Sequence, residues 1–337
     1  MRVVLLASLN RSGEAIGALL EARGHEVIRF CEAKRALRQL EVDGTASAFI
    51  VLDSGNSERA IETCWDARLL ATFERPIYIG LVARPMPSQA IVEALDCGVD
   101  DVLQMPLSSD ELYARLRSAE RMNQMQLQLV RMATRDALTG LLNRSAFFNG
   151  AEKICRAADA PSAAIMADID HFKAVNDRYG HAVGDKALKA VAACLGGRAE
   201  IVARLGGEEF VLLLPASGAE EGRRVAEGIR AAVAAHEIDL DGAPLRVTCS
   251  FGVAVAEPGA TIDEVLRRAD AALYAAKRDG RDRVAVYRAE MSLPDSLPAS
   301  VIRRAGDRTE GPRRQAAGGQ FLHAAFNWPC PGASESF

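Results

Sequence analysis

The chain has 337 residues, of which 49% are hydrophobic, so it can form two domains with buried cores. Its net charge of −4 and aromatic content of 5% argue against a general nucleic-acid binder. Seven scattered cysteines without a CxxC pair indicate reduced thiols and a cytoplasmic protein. The N-terminal apolar run is too short for a signal peptide, and no run reaches the roughly 18 residues of a membrane helix.

Strand and helix patterns alternate along the first part of the chain. The strand patterns lie near residues 2–7, 26–30, 47–52, 77–82 and 100–104. Regular alternation of this kind predicts a parallel sheet that is covered by helices on both faces. We therefore expect residues 1–120 to form a doubly wound, flavodoxin-like α/β domain, with its site at the carboxyl ends of the strands.

A long helix is predicted to begin at the capping-box pattern of Ser108 and Glu111 and to continue to about residue 133. Within it, residues 121–135 form a linker helix. Four apolar residues of this helix follow the 3-4-3 spacing of a coiled-coil seam, namely Met122, Met125, Leu129 and Met132. Because two heptads are few and Asn123 is polar, packing of the helix on its own domain stays open as an alternative.

A second domain is predicted over residues 136–290. Helix patterns lie near 145–158, 185–195, 219–235 and 262–278, and strand patterns near 163–169, 200–205, 209–214, 245–256 and 283–287. This mixed order predicts an α+β domain with a largely antiparallel sheet, and Gly206-Gly207 is predicted to form a hairpin turn. Residues 291–337 have the composition of a disordered tail.

Acidic residues lie at the ends of two predicted strands of the second domain. Asp168 ends an apolar run, and Asp170 is expected on the same side of the strand end. Glu208 and Glu209 lie at the tip of the predicted hairpin. One such carboxylate alone is more often a cap or turn residue, but two clusters beside a glycine turn favour a site for Mg²⁺ and phosphates. Metal-assisted phosphoryl or nucleotidyl transfer is then the expected chemistry.

Other polar residues near these acids have both functional and structural interpretations. Lys173 can meet a phosphate at the start of a short helix, or it can be solvated. Asn176 and Asp185 can read the edge of a guanine, or they can cap helices. Lys277 and Arg281 can clamp phosphates, or they can complement the dipole of the helix that they end.

Residues 136–290 resemble the GGDEF diguanylate cyclases, in the variant with glutamate in place of the aspartate. The resemblance rests on five ordered segments: DALTGLLNR at 136–144, DIDHFKAVND at 168–177, GHAVGD at 180–185, GGEEF at 206–210 and YAAKRDGR at 274–281. It implies a domain like those of the nucleotide cyclases and the polymerase palm. It also implies that two GTP molecules condense to cyclic di-GMP and two pyrophosphates.

The resemblance implies a role for each matching residue. Asp168, the carbonyl of Ile169 and Glu208 would ligate Mg²⁺ (or Mn²⁺), and Glu209 would help to activate the ribose 3′-hydroxyl or add to the metal site. Lys173 would stabilise charge that develops on the triphosphate. The implied substrate-binding residues are Phe172, Asn176, Asp185, Gly206, Gly207, Lys277 and Arg281.

The family's reaction needs two sites face to face, because each subunit binds one GTP. The resemblance therefore implies a homodimer, and the helix over 122–132 would then have a purpose. No membrane and no nucleic-acid partner is expected.

One departure concerns product inhibition. Family members that are inhibited by their product usually carry an Arg-x-x-Asp pair before the glycines, and this chain has Gly197 and Glu200 at those two positions, with Arg198 one place off. We expect weak or absent inhibition through that site.

The first domain resembles a degenerate response-regulator receiver. The expected acidic pair is replaced by residues 7–10 (ASLN), the Ser or Thr of the fourth strand by Val82-Ala83, and the Lys before the fifth-strand proline by Met105. Of the phosphorylation residues, the sequence keeps the phosphoacceptor Asp53. Without an acidic pair there is little to hold Mg²⁺, so the domain is expected to dimerise or to bind an upstream partner protein rather than to be phosphorylated.

Two alternatives to an active cyclase belong to other classes. One is a catalytically silent module that binds GTP or cyclic di-GMP for signalling. Such a receptor would keep the Arg-x-x-Asp pair and could lose the acids, and this chain shows the reverse. The other is a DNA-binding output regulator, which would need a basic recognition helix that the sequence does not show.

Overall fold

The computed structural model describes residues 1–157, 160–240 and 244–292. They divide into two compact units, one of residues 1–131 and one that begins at residue 132. The predicted tail lies outside the described residues from residue 293 onward. No helix in the described ranges is both long enough and apolar enough to cross a membrane.

The N-terminal unit is a five-stranded parallel sheet with the strand order β2-β1-β3-β4-β5. This is the order of flavodoxin-like folds, so the predicted doubly wound fold is confirmed. Its elements are β1 (Arg2–Leu6), α1 (Arg11–Ala22), β2 (Glu26–Phe30), α2 (Ala33–Val42), β3 (Ala48–Leu52), α3 (Ser57–Leu70), β4 (Tyr78–Ala83), α4 (Ser88–Asp96), β5 (Asp101–Gln104) and α5 (Ser109–Thr134).

Alternate residues of the central strands pack into two hydrophobic cores, one on each face of the sheet. Phe49 of β3 and Ile79 of β4 pack on one face of the sheet, while Ile50 packs on the other face with Leu112 of α5. The start of α5 is capped as the sequence predicts, because the Ser108 hydroxyl accepts a hydrogen bond from the amide of Glu111 at 3.1 Å.

The C-terminal unit is a five-stranded sheet with the order β10-β9-β6-β8-β7. All its pairings are antiparallel except the parallel pair of β9 and β10, so the predicted mixed fold is confirmed. Its elements are α6 (Arg144–Ala157), β6 (Ser162–Ile169), α7 (Phe172–Tyr179), α8 (His181–Leu195), β7 (Ile201–Gly206), β8 (Glu209–Leu214), α9 (Ala219–Ala235), β9 (Cys249–Ala256), α10 (Ile262–Arg278) and β10 (Val284–Val286).

The central strand β6 is buried over its whole length and fixes the two faces of this sheet. Ile165 packs towards α8 and α9, whereas Met166 packs towards α6 and α10. By the same alternation, Asp168 faces the side that α10 covers, which places the end of β6 against the end of that helix.

The hairpin between β7 and β8 turns one residue later than the sequence predicts. Gly206 is the last residue of β7 and pairs with Glu209, so the turn is made by Gly207 and Glu208. A register shift between Arg204 and Gly206 causes the difference. Gly207 has a φ of 51°, a left-handed conformation that suits glycine.

Candidate active site

Asp168 and Glu209 lie directly opposite each other on the neighbouring strands β6 and β8. Asp168 is 4% exposed, and Glu208 precedes Glu209 in the hairpin turn. The pairing of the hairpin with β6 therefore brings the two acidic segments together, although about forty residues separate them in the sequence.

The charges of these carboxylates crowd one another. Burial, followed by the charge of Asp168, raises the pKa of Glu209 to about 7. Burial also raises the pKa of Asp168 and of Glu208. A further acid that the sequence interpretation did not single out, Asp270 of α10, has its pKa raised by burial and, secondarily, by Asp168, while Lys277 opposes the shift. Such crowding favours a counter-charge at this place.

Two of the three predicted phosphate-binding cations lie beside the carboxylates. Lys277 Nζ is 2.8 Å from Asp168 Oδ2. Arg281 is also close enough for its positive charge to lower the pKa of Asp168, against the larger effect of burial. Lys173 is exposed in the first turn of α7. The site thus combines acids at one end of a strand with cations at the end of a helix.

The oxygen atoms around Asp168 are of the types that Mg²⁺ takes in proteins, but the described side chains do not form a complete set of metal ligands. Among the described residues, no three His, Cys, Asp or Glu side chains are arranged to hold a metal ion by themselves. Mg²⁺ commonly takes only one or two protein carboxylates, and substrate phosphates and waters complete its shell. Asp168, Glu208 and the main-chain carbonyl of Ile169 supply a set of that kind.

Asn176 and Gly184 form a half-buried polar position between α7 and α8. The amide oxygen of Asn176 is buried and has no hydrogen-bond partner. A Cβ atom at position 184 would overlap that oxygen and would also press on the ring of Phe172, so only glycine leaves room here. Asp185 is exposed in the second turn of α8, which begins after Gly180, so the alternative that Asp185 caps this helix is wrong.

Arg204 supports the tip of the hairpin, a role that the sequence interpretation missed. Its Nη2 and Nε donate to the carbonyl of Gly207 at 2.6 and 3.1 Å, and its Nη1 donates to Asp136 Oδ1 at 3.1 Å. Asp136 also accepts hydrogen bonds from the amide and hydroxyl of Thr139. The only sequence signal was a basic residue two positions before the glycine pair.

Asp170, which the strand pattern placed on one side with Asp168, has hydrogen-bond partners of its own, although its charge also helps to raise the pKa of Asp168 after the larger effect of burial. Its Oδ1 accepts from the Ser250 hydroxyl at 2.6 Å. Its Oδ2 accepts from the Thr248 hydroxyl at 2.7 Å and from the amide of Asp282 at 3.0 Å. Both oxygens are therefore engaged in protein hydrogen bonds.

In the N-terminal unit, Asp53 follows β3 at the carboxyl edge of the sheet. Its Oδ1 accepts from the amide of Gly55 at 2.8 Å, and its Oδ2 accepts from the Ser57 hydroxyl at 2.7 Å. Asn10, one of the residues in place of the acidic pair, caps α1 by accepting from the amide of Gly13 at 2.9 Å. These hydrogen bonds of Asp53 and Asn10 therefore join each side chain to residues two to four positions further along the chain.

The apolar stripe of α5 is uncovered in the described chain. Its side chains are between 61% and 66% exposed: Met122, Met125, Leu129 and Met132. A different face of the helix holds it to its unit, where the side chains of Asn123 and Gln126 donate to the carbonyls of Ser47 and Phe73. The helix therefore packs on its unit through that other face, while the stripe itself stays exposed within the described residues.

Residues 133–283 match the family model described as diguanylate cyclase, GGDEF domain. The chain is 47% identical over 160 residues to diguanylate cyclase DgcP of Pseudomonas aeruginosa, which is 46% of this chain and 24% of that protein. It is 44% identical over 163 residues to diguanylate cyclase DgcM of Escherichia coli, which is 47% of this chain and 39% of that protein.

A longer match joins the chain to the response regulator PleD of Caulobacter vibrioides, with 35% identity over 214 residues, or 58% of this chain and 46% of that protein. The chain thus spans less than half the length of these curated relatives. A crystal structure of the coiled coil and GGDEF domain of DgcB from Caulobacter crescentus, in complex with c-di-GMP, is 36% identical and has a TM-score of 0.47, covering 52% of this chain and 98% of that one.

Proposed function

Because residues 133–283 match the GGDEF domain family, we propose that this chain is a diguanylate cyclase, which condenses two GTP molecules to cyclic di-GMP and two pyrophosphates. The observation that supports this most directly is the pairing of buried Asp168 with Glu209 across two strands, with Lys277 at 2.8 Å from Asp168. Acids and cations that meet at one strand end suit a metal-bound triphosphate.

In this proposal, Asp168, Glu208 and the Ile169 carbonyl hold Mg²⁺ or Mn²⁺. The bound ion would offset the negative charge of the phosphates. Glu209, which lies opposite Asp168 on the neighbouring strand, accepts the proton of the ribose 3′-hydroxyl. Lys173 stabilises the charge that develops on the triphosphate.

The remaining residues bind the substrate. Asn176 and Asp185 bind guanine, whose edge offers both donors and an acceptor, and the unpartnered amide oxygen of Asn176 supports this role. The phosphates lie against the hairpin glycines and meet the cations and the start of α7. The proposed set comprises Phe172, Lys173, Gly206, Gly207, Lys277 and Arg281.

The same reaction calls for two copies of the chain, since each site would hold one GTP. We assign the exposed stripe of α5 to the homodimer, because four apolar side chains on one helix face are more than 60% exposed.

The flavodoxin-like unit then acts as a receiver-like control domain that binds a partner protein. In this scheme Asp53 is not a phosphoacceptor, and the Gly197 position leaves product inhibition weak.

The decisive experiment incubates the purified full chain with GTP and Mg²⁺ and separates the products by chromatography. Wild type is expected to form cyclic di-GMP and pyrophosphate, and Glu208→Gln is expected to form neither at a measurable rate. Glu257→Gln is the matched control, because Glu257 is exposed beyond the end of β9. If wild type forms no cyclic di-GMP at high protein concentration, the proposal is overturned. The alternative of a catalytically silent module that binds GTP or cyclic di-GMP would then be favoured.

A further inference from the structure

The segment that follows α10 has an unusual backbone. Three consecutive residues have positive φ angles: Gly280 at 115°, Arg281 at 63° and Asp282 at 43°. Glycine adopts such angles freely, but residues with a side chain do so at a cost. A conformation of this kind persists only where surrounding contacts fix it.

Contacts from three directions fix this segment. The amide of Arg281 donates to the carbonyl of Ala276 at 3.0 Å, which ties it to the end of α10. Arg230 of α9 donates to Asp282 Oδ1 at 2.8 Å. From the sheet, Asp170 accepts the amide of Asp282 at 3.0 Å, with a side chain that is only 6% exposed.

We propose that Asp170 is a positioning residue, which holds the left-handed turn at 281–282 so that the guanidinium of Arg281 faces Asp168 and the substrate phosphates. This rests on the proposed function, where Arg281 is assigned to the phosphates. The amide of Arg281 is tied to Ala276, next to the Lys277 whose Nζ lies 2.8 Å from Asp168 Oδ2, which places Arg281 on the side of that carboxylate. The effect of its charge on the pKa of Asp168 agrees with this placement. Asp170 itself binds neither substrate nor metal, since its two oxygens already accept three hydrogen bonds.

The chemistry of Asp170 explains why an aspartate is needed. Three donors converge on its two oxygens, and Thr248 and the Asp282 amide share one of them. Asparagine keeps one acceptor oxygen for Thr248 and the Asp282 amide, and its NH₂ group would meet the Ser250 hydroxyl, which can accept as well as donate. The change Asp170→Asn therefore removes the carboxylate charge that strengthens these hydrogen bonds while it keeps the volume of the buried side chain.

The functional test is a double-mutant cycle on the steady-state kinetics of the full chain with GTP and Mg²⁺. Asp170→Asn is expected to raise KM for GTP about tenfold, the loss of roughly one charge-assisted hydrogen bond, with a smaller change in kcat. In an Arg281→Ala background the same change is expected to have no further effect on KM. An equal rise in both backgrounds would overturn the proposal.

Thr248→Val is the matched control. It removes one hydrogen-bond donor to Asp170, keeps the side-chain size at position 248, and leaves the hydrogen bond between Asp170 and the amide of Asp282 in place. It is expected to lower Tm while KM stays within about twofold.

Arg230→Ala loosens the same turn without changing the buried carboxylate, so it replaces Asp170→Asn in the test if that variant does not fold. It is expected to raise KM about threefold, again only when Arg281 is present. A rise in KM that is independent of Arg281 would contradict the mechanism.

Hydrogen exchange separates this inference from the proposed function, because it does not depend on catalysis. The amide of Asp282 is expected to exchange about tenfold faster in Asp170→Asn than in wild type or in Thr248→Val. Unchanged exchange at Asp282 would reject the positioning role even if the chain makes cyclic di-GMP. Faster exchange in a chain that makes none would keep the structural inference and reject the enzyme.

Discussion

Two aspartates in this molecule end central strands, one in each unit, and their surroundings differ. Asp53 accepts hydrogen bonds from Gly55 and Ser57, which belong to its own loop and the helix that follows. Asp168 lies opposite Glu209 on another strand and pairs with Lys277 of a distant helix. The comparison teaches that an acid at a strand end indicates a site only when acids and cations from other elements gather around it.

The sharpest test of this comparison is the same substitution in both places. Asp168→Asn is expected to lower the rate of cyclic di-GMP formation roughly 10²- to 10³-fold, as for other groups that stabilise developing charge. Asp53→Asn is expected to change the rate by less than about twofold, as for a surface loop residue. Rates measured by chromatography with saturating GTP and Mg²⁺ decide the matter, and similar losses in both variants would break the comparison.

A second test concerns the guanine position of the C-terminal unit. Gly184→Ala introduces a Cβ that overlaps Asn176 Oδ1, so the amide must move. We expect KM for GTP to rise at least about tenfold, the value of one good polar contact, with a smaller effect on kcat. The matched control is Gly228→Ala in α9, where a Cβ would meet no atom within 4 Å. That change is expected to raise Tm slightly, since alanine favours the helix. A normal KM in Gly184→Ala would show that Asn176 does not bind the base.

A third test asks whether the acid pair depends on support from outside its own strands. Arg204→Lys removes the forked contact to the Gly207 carbonyl and to Asp136, with an expected loss of about 1–2 kcal/mol in the free energy of unfolding. The cyclase rate is expected to fall as the hairpin tip loosens. The control is Arg223→Lys, whose exposed partner Glu220 lies on the same helix, and no measurable change in Tm is expected there. Equal Tm values for both variants would show that the hydrogen bonds of Arg204 do not stabilise the hairpin.

Sequence patterns predicted the elements of both units because burial imposes the periods that they follow. The strand at 162–169 and the helix at 262–278 lie within one residue of their predicted bounds. The hairpin turn was misplaced by one residue, because the register shift before Gly206 depends on strand pairing. The start of α8 was placed four residues late, since Gly180 leaves no side-chain cap that a sequence pattern can show.

The candidate site was only partly predictable for a related reason. The acids at 168, 208 and 209 could be found because Asp168 ends an apolar run and the two glutamates stand between a glycine pair and the apolar run at 210–214. Asp270 and Arg204 interact with residues that are distant in the sequence, and no local sequence pattern identifies those partners. Asp170 was grouped with Asp168 by strand alternation, and its hydrogen bonds to Thr248, Ser250 and the amide of residue 282 become visible only in the folded chain.

The smallest expected effect concerns pH and the free energy of unfolding. Burial and the charge of Asp168 raise the pKa of Glu209 from 4.5 to about 7 in the folded chain. Between these values the folded state keeps a proton that the unfolded chain has lost, so stability falls as pH rises from about 4.5 to 7. Denaturant unfolding of metal-free wild type across this window should show the decline. Glu209→Gln should make the decline smaller, and the raised pKa values of Asp168, Glu208 and Asp270 should leave a remainder. Because Glu209 is only partly buried, the slope will be shallower than a fully buried acid would give. A wild-type curve with the same slope as that of Glu209→Gln would mean that Asp168 and burial do not raise the pKa of Glu209 in the folded chain.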